Sequence, residues 1–442
     1  MNAGLPDSVT DREAQVLEEI ERRRADLVSL ASDLIAFDTT ARDVGDPPRD
    51  EAALQRYLAD RLTSAGAETD LWEPEPSELV GSPLVPEGLQ FDGRPQLMAR
   101  IPGGGGGRSL LLNGHIDVVS VEPRDRWSSD PFSADLRDGR LYGRGAADMK
   151  GGIAAMVFAA EVLSELGISL AGDLIVCTVT DEESTGAGGV AAVAHGVGAD
   201  AGIVAEPSDF HAWVACRGSL LPTIVVPGRP GHAGRPQPDW QEGGAVNAID
   251  KALDVAGALR RLRNSWRERE DQRHPFLAPG HIVPTVVSGG EWIVSYPASC
   301  RLVYHVAYLP AQADAAGWGS AVKCEIMDAV AEAVRADPWL AENPPGIEWA
   351  PEVPPAEIDV HEPIVTSVRG AAQTVGRGRP VSGSQSWFDG ATFTLAGTPC
   401  VGFGPGDNRF AHQIDEHIDA RSLVAGAQTL ALSALRFCGT TE

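Results

Sequence analysis

The chain has 442 residues, 43% of them hydrophobic, and a formal net charge of −26. That length suits two or three domains with a sizeable core. The charge argues against nucleic-acid binding, because phosphates would be repelled, and no apolar run reaches membrane-spanning length.

Residues 11–36 carry Val16, Leu17, Ile20, Leu27, Leu30, Leu34 and Ile35 at helical spacing among charges, which predicts one amphipathic helix. A second helix is expected over residues 51–65, stopped by Gly66. Residues 73–95 are rich in Pro, Glu and Gly and read as a long loop, with a strand over 96–101. The glycine run 103–107 leads into a strand rather than a helix, so it is a turn and not a phosphate loop.

Residues 109–119, SLLLNGHIDVV, are the centre of the chain. The apolar run predicts a strand buried on both faces of a parallel or mixed sheet. It ends in His115 and Asp117, costly residues at a buried strand end unless something there uses them. Two apart in extended chain, they point to one side. One can bind a metal while the other accepts the second imidazole N–H. A surface His on a capped strand end is the plain alternative. Asp148 lies between a glycine-rich turn and a helix expected over 150–166; it can cap that helix or bridge two cations.

Residues 173–180 form a second apolar strand that breaks into Asp181, Glu182 and Glu183. Three adjacent carboxylates must splay into water or be held by a cation. A third such strand, 201–205, ends in Glu206, and a fourth, 401–403, precedes His412 with Asp415 and Glu416 nearby. Several strands ending in acids or His weigh more than any one motif. Lys and Arg are sparse at these ends, so the pattern suits cations, and His with carboxylates favours zinc or a similar divalent ion.

From about Cys216 the pattern changes to alternating strands over 218–227 and 299–309, with helices over 245–270 and 318–336 and an extended segment at 346–358. This predicts a smaller α+β domain, 216–358, inserted into an α/β mixed-sheet domain made of 1–215 and 359–442. Its sheet edge could pair across a two-fold axis to give a homodimer. Cys177, Cys216, Cys300, Cys324, Cys400 and Cys438 are scattered without a C-x-x-C pair, and the charged N-terminal segment has no signal-peptide core, so a cytoplasmic location is expected. His195, His211, His274, His281, His305 and His417 lack the strand-end context and read as surface or packing residues.

Together the five separated motifs around His115, Asp148, Glu182–Glu183, Glu206 and His412 resemble the M20 metallopeptidase family, whose members include acetylornithine deacetylase and succinyl-diaminopimelate desuccinylase. The resemblance implies a metallo-hydrolase domain with a ferredoxin-like lid and dimerisation domain. It implies His115, Glu183, Glu206 and His412 as ligands of two divalent cations, zinc or else cobalt or manganese, with Asp148 bridging. Asp117 would orient a ligand, and Glu182 would be the general base. The segments GRPGHAGRP and GGAVNAI resemble the family's inserted-domain motifs, which implies an oxyanion role for His232, reaching in from a partner subunit, and a substrate contact for Asn247. Asp389 is implied to be structural. Two departures stand out: the context of His232 differs, and Ala307 occupies the position where the family often has a carboxylate-anchoring Arg, with Arg301 nearby.

The expected activity is hydrolysis of an amide in a small N-acyl amino acid or related amine, by metal-activated water with Glu182 as base. A dipeptidase, carboxypeptidase or carbamoyl-amide hydrolase would share the same metal site. A non-catalytic homologue that binds only metal or a partner is the reading from a different class.

Overall fold

The computed structural model describes residues 9–441. The chain forms two compact units. One holds the chain through Ala215, then Glu357–Ser384 and from Phe388 onward; the other holds Cys216–Ala356 and Gln385–Trp387. The short segment Gln385–Trp387, which the sequence places in the mixed-sheet domain, is thus part of the smaller unit.

The larger unit opens with two helices, α1 (Asp11–Arg22) and α2 (Arg24–Ile35), where the periodicity predicts one. The break falls at Arg23, with φ −99° and ψ 21°, whose side chain pairs with Asp26 at 3.0 Å and also bonds Glu165. Helix α3 (Glu51–Ser64) leads into strand β1 (Glu68–Trp72), which the sequence reading lacks. There follow β2 (Gln96–Ile101), β3 (Leu110–His115), α4 (Lys150–Glu165), β4 (Leu174–Val179), α5 (Ala187–Ala194), β5 (Ala201–Val204) and β6 (Ala212–Cys216).

Strands β3, β4 and β5 are buried along their whole length, because helices cover the sheet and leave no face to water. Helix α4 lies close to the end of β5. A Cβ on Gly152 would sit 1.9 Å from the carbonyl oxygen of Ala205, so only glycine allows this approach beside Glu206.

The smaller unit contains β7 (Gly218–Leu220), β8 (Pro222–Pro227), α6 (Ala248–Trp266), β9 (His281–Gly289), β10 (Ser299–Tyr308), α7 (Ser320–Ala336) and β11 (Gly346–Trp349). From β8 to β11 the order is βαββαβ, and the antiparallel sheet runs β9-β10-β8-β11, with β7 also on β10. This is the ferredoxin-like arrangement. Its core joins Ile224, Val255, Leu259, Trp266, Val306 and Ile326 from sheet and helices. Strand β9 was not anticipated. It contains Pro284 beside a register shift, which is tolerated because β9 is an edge strand.

The chain returns to the larger unit through α8 (Pro363–Thr374), β12 (Cys400–Gly402) and α9 (Ala420–Cys438). The labelled strands of its nine-stranded sheet run β1-β2-β4-β3-β5-β12-β6. The central four, β4, β3, β5 and β12, are parallel to their neighbours in that group. Their carboxyl ends therefore open at one edge, the usual ligand edge of such a sheet. Among the described residues, no helix is long and apolar enough to cross a membrane.

Candidate metal centre

His115 ends β3 and is 1% exposed. Its Nδ1–H donates to the main-chain carbonyl of Asp117 at 2.9 Å, while the nearest Asp117 carboxylate oxygen is 3.7 Å away. The imidazole is thus oriented by backbone rather than by the carboxylate the sequence pattern suggested. A carbonyl can only accept, so Nδ1 carries the proton and Nε2 is left facing Asp148 Oδ1 at 3.2 Å. The Asp117 carboxylate serves the next loop instead, accepting the N–H of Glu182 at 3.2 Å and of Glu183 at 3.0 Å.

Asp148 does not cap α4, which has no side-chain cap. Its second oxygen lies 3.4 Å from His412 Nε2, and His412 Nε2 lies 3.1 Å from Glu183 Oε1. Glu182 Oε2 is 4.0 Å from His115 Nε2. Glu206 is 5% exposed, and its buried Oε1 has no hydrogen-bond partner. Two sets of side chains, His115–Glu182–Glu206 and His115–Asp148–Glu183, bring their ligand atoms within 4.8 Å of one another.

The acid triplet is divided. Asp181 turns to Arg94, which bonds it at 2.7 Å in a buried pair, so one carboxylate leaves the cluster held by a guanidinium rather than by water. Arg94 comes from the long loop before β2. The sequence offers no sign of this partner, because the two residues are joined only by folding.

Charge in the cluster is uncompensated. Burial pushes the Glu182 carboxyl well up; the His115 ring opposes this, and Glu183 and Glu206 add to it. Burial likewise raises Glu206, reinforced by Asp148, and takes Asp117 up to about 7 against the pull of His115. Burial also acts to raise Asp148, but hydrogen bonds from His115 and His412 outweigh it and hold that carboxyl below its usual range. Burial would lower His115, yet Glu182, Asp148 and Asp117 together raise it well above normal. Hydrogen bonds to Asp148 and Glu183 raise His412 to about 10. The fold thus gathers acids that bind protons unusually tightly, as expected where positive charge must be supplied from outside. His nitrogen and carboxylate oxygen are donors that divalent zinc-like ions take, and the unpartnered Glu206 oxygen fits such a ligand.

His232 and Asn247 belong to the smaller unit. His232 is exposed, and its Nδ1 accepts the N–H of Gly234 at 3.0 Å. Asn247 caps α6, its side-chain oxygen accepting the N–H of Ile249 at 2.9 Å. Ala307 is buried in β10, and Arg301 bonds Thr223 at 3.2 Å. Asp389, in the larger unit, is fully buried with neither oxygen partnered.

The sequence matches the model of Peptidase family M20/M25/M40 over residues 111–436. It is 31% identical to N-formyl-4-amino-5-aminomethyl-2-methylpyrimidine deformylase of Bacillus subtilis (strain 168), over 92% of this chain and 93% of that protein. It is 32% identical to a succinyl-diaminopimelate desuccinylase of Xanthomonas oryzae pv. oryzae (strain PXO99A), over 64% of this chain and 69% of that one. Among solved structures, aminopeptidase PepT of Bacillus cereus superposes with a TM-score of 0.70 at 18% identity, covering 94% of this chain and 98% of that one.

Proposed function

The chain belongs to peptidase family M20/M25/M40 and is an amide-bond hydrolase, and we propose that it removes a short acyl group, formyl foremost, from a small amine. The observation that carries this reading is the His115–Asp148–Glu182–Glu183–Glu206–His412 cluster at the carboxyl edge of the parallel strands, in which His115 and Glu206 are buried, the three other acids half-buried and His412 exposed. In this reading His115, Asp148, Glu183, Glu206 and His412 would hold two divalent ions, Asp148 lying between His115 and His412 where it could serve both. Zinc is the first choice, with cobalt or manganese as substitutes. Bound there, the ions supply Lewis acidity toward a water and the amide carbonyl.

The chain's own residues do the rest. Glu182 takes a proton from the attacking water and returns it to the leaving amine, so one water is consumed and acid and amine are released. The Asp117 carboxylate holds the Glu182 and Glu183 amides and so sets where both side chains start. His232, supplied by the second copy of a homodimer, is the candidate donor to the oxyanion, and Asn247 the candidate substrate contact.

One observation favours an acyl group and amine without carboxylates: position 307 holds alanine, which cannot anchor a carboxylate. The homodimer reading rests on edge strand β9 and its neighbouring turn, where Val287 and Ile293 are 63% and 94% exposed. The six cysteines are free, which supports a reducing, cytoplasmic setting.

The test is a set of formyl, acetyl, succinyl and carbamoyl amides offered to the protein loaded with zinc, cobalt or manganese. Formyl amides should turn over fastest, and chelation should abolish the rate. Faster cleavage of succinyl amino acids would overturn the substrate class; no cleavage of any amide would overturn the reading.

A further inference from the structure

Behind the cluster lies a second charged pair. Glu416 is fully buried and Arg144 is 3% exposed, with Arg144 Nη1 2.5 Å from Glu416 Oε2. The other carboxylate oxygen, Oε1, accepts the N–H of Ala147 at 2.9 Å and of Asp148 at 3.0 Å. Arg144 also donates to the carbonyl of Gln413 at 3.3 Å, next to His412, and to that of Ser120 at 3.0 Å, three residues past Asp117. The main chains of the two residues' segments are joined as well, Gly143 N–H donating to the Glu416 carbonyl at 2.9 Å. The Arg144 guanidinium lies over the Trp127 ring, 5.0 Å from its centroid.

A buried ion pair is a poor device for stability alone, since apolar side chains of similar volume often serve as well. This pair, however, spends its hydrogen bonds on three loops: two carry the cluster residues Asp148 and His412, and the third carries Asp117, which holds the Glu182 and Glu183 amides. We propose that Glu416 and Arg144 are positioning residues: the pair clamps the Asp148 main chain and the His412 loop into the spacing the two ions require. The inference rests on the metal-dependent reading above. A carboxylate suits the task because one oxygen can take two amide N–H groups while the other takes the guanidinium. The guanidinium suits it because its fork reaches two further carbonyls, which a lysine ammonium cannot do in one plane.

The substitutions Glu416→Gln and Arg144→Lys test the clamp. Amide exchange at Ala147 and Asp148 is measured in the metal-free protein, and cobalt and zinc titrations follow affinity, stoichiometry and the visible cobalt spectrum. Glu416→Gln should speed exchange at both amides, weaken at least one ion roughly 10- to 100-fold, as loss of ligand-supporting groups does elsewhere, and alter the cobalt bands while helical content is unchanged. Arg144→Lys should fall between it and the parent. A folded Glu416→Gln protein with both affinities within threefold of the parent and an unchanged spectrum would overturn the proposal. If that variant does not fold, Arg144→Lys decides by the same measures, and failure of both to fold assigns the pair to the core and ends the proposal. A parent that binds no pair of ions would instead sink the functional reading, and the clamp with it.

Discussion

In the larger unit, Glu206 is buried with one carboxylate oxygen unpartnered, beside further acids and two imidazoles. In the smaller unit, Glu352 is buried just as deeply, at 2% exposure, but it accepts from Tyr308 at 2.8 Å and pairs with Lys323 at 2.6 Å. The two acids are similarly buried and are compensated differently. Glu352 is satisfied by its own unit, so it needs nothing further. Glu206 lies where parallel strands all release their chain at one edge, and loops from four strand ends deliver acids faster than they deliver cations. An antiparallel sheet sends alternate strand ends to opposite edges and so has no such accumulation.

The sharpest break in this comparison comes from Glu182→Gln. It should lower kcat by roughly 10²- to 10⁴-fold, the usual worth of a general base, while the titrated metal stoichiometry stays at the parent value. Turnover near the parent's would remove Glu182 from its role. In the smaller unit the largest effect should come from its apolar core. Trp266, 2% exposed, replaced by Ala should cost about 3–5 kcal/mol in urea unfolding, with cobalt affinity unchanged; a shift in that affinity would show that the two regions are not independent.

A pH titration of stability separates the regions next. Asp117 has a folded value of about 7, above the ordinary unfolded value near 3.8, so the folded protein binds the proton more tightly. Its contribution is therefore fully present below about pH 4 and is lost as pH rises through 7. Raised Glu182 and Glu206 act in the same direction. His412, raised to about 10, continues the loss above 6.5, but Lys150, which burial lowers to about 7, opposes it over the same range. The metal-free protein should thus lose stability as pH climbs from about 4 to 7, by up to about 1.4 kcal/mol per pH unit for each buried carboxyl, and by less for His412, whose side chain is 51% exposed and screened by water. Saturating zinc, replacing those protons, should flatten or reverse the slope; an identical slope with and without zinc would speak against the cluster as its origin. The smallest effect on stability is expected at the surface of the smaller unit. Ile293→Lys should change unfolding free energy by less than about 0.5 kcal/mol, yet shift sedimentation toward the monomer. An unchanged association state would displace the dimer contact from this edge.

Much of the site is written in local pattern. The apolar runs before His115, Asp181 and Glu206 declare buried strands, and an imidazole or acid at such an end is visible without any structure. What escapes is of two kinds. Helix α9 escapes although Arg421, Gln428 and Arg436 recur at helical spacing on its one unburied face, because its remaining residues are small or apolar and read equally as a buried run. The supporting charges escape for another reason: Arg94 lies 87 residues from Asp181, and Arg144 lies 272 from Glu416. Nothing near either arginine distinguishes it from a surface one, although Arg144 between two glycines, Gly143 and Gly145, is unusual for a solvated side chain.

By itself, the sequence determined which side chains can ligate a cation and that apolar strands would carry them to their ends, because hydrophobic runs and polar breaks are local properties. Only the tertiary structure decided that the parallel order of four strands points those ends at one edge, that Asp181 is drawn off by Arg94, and that a backbone carbonyl rather than a carboxylate sets the His115 tautomer. These depend on distances between residues far apart in the chain, which are set by packing and by the need of each buried polar atom for a partner.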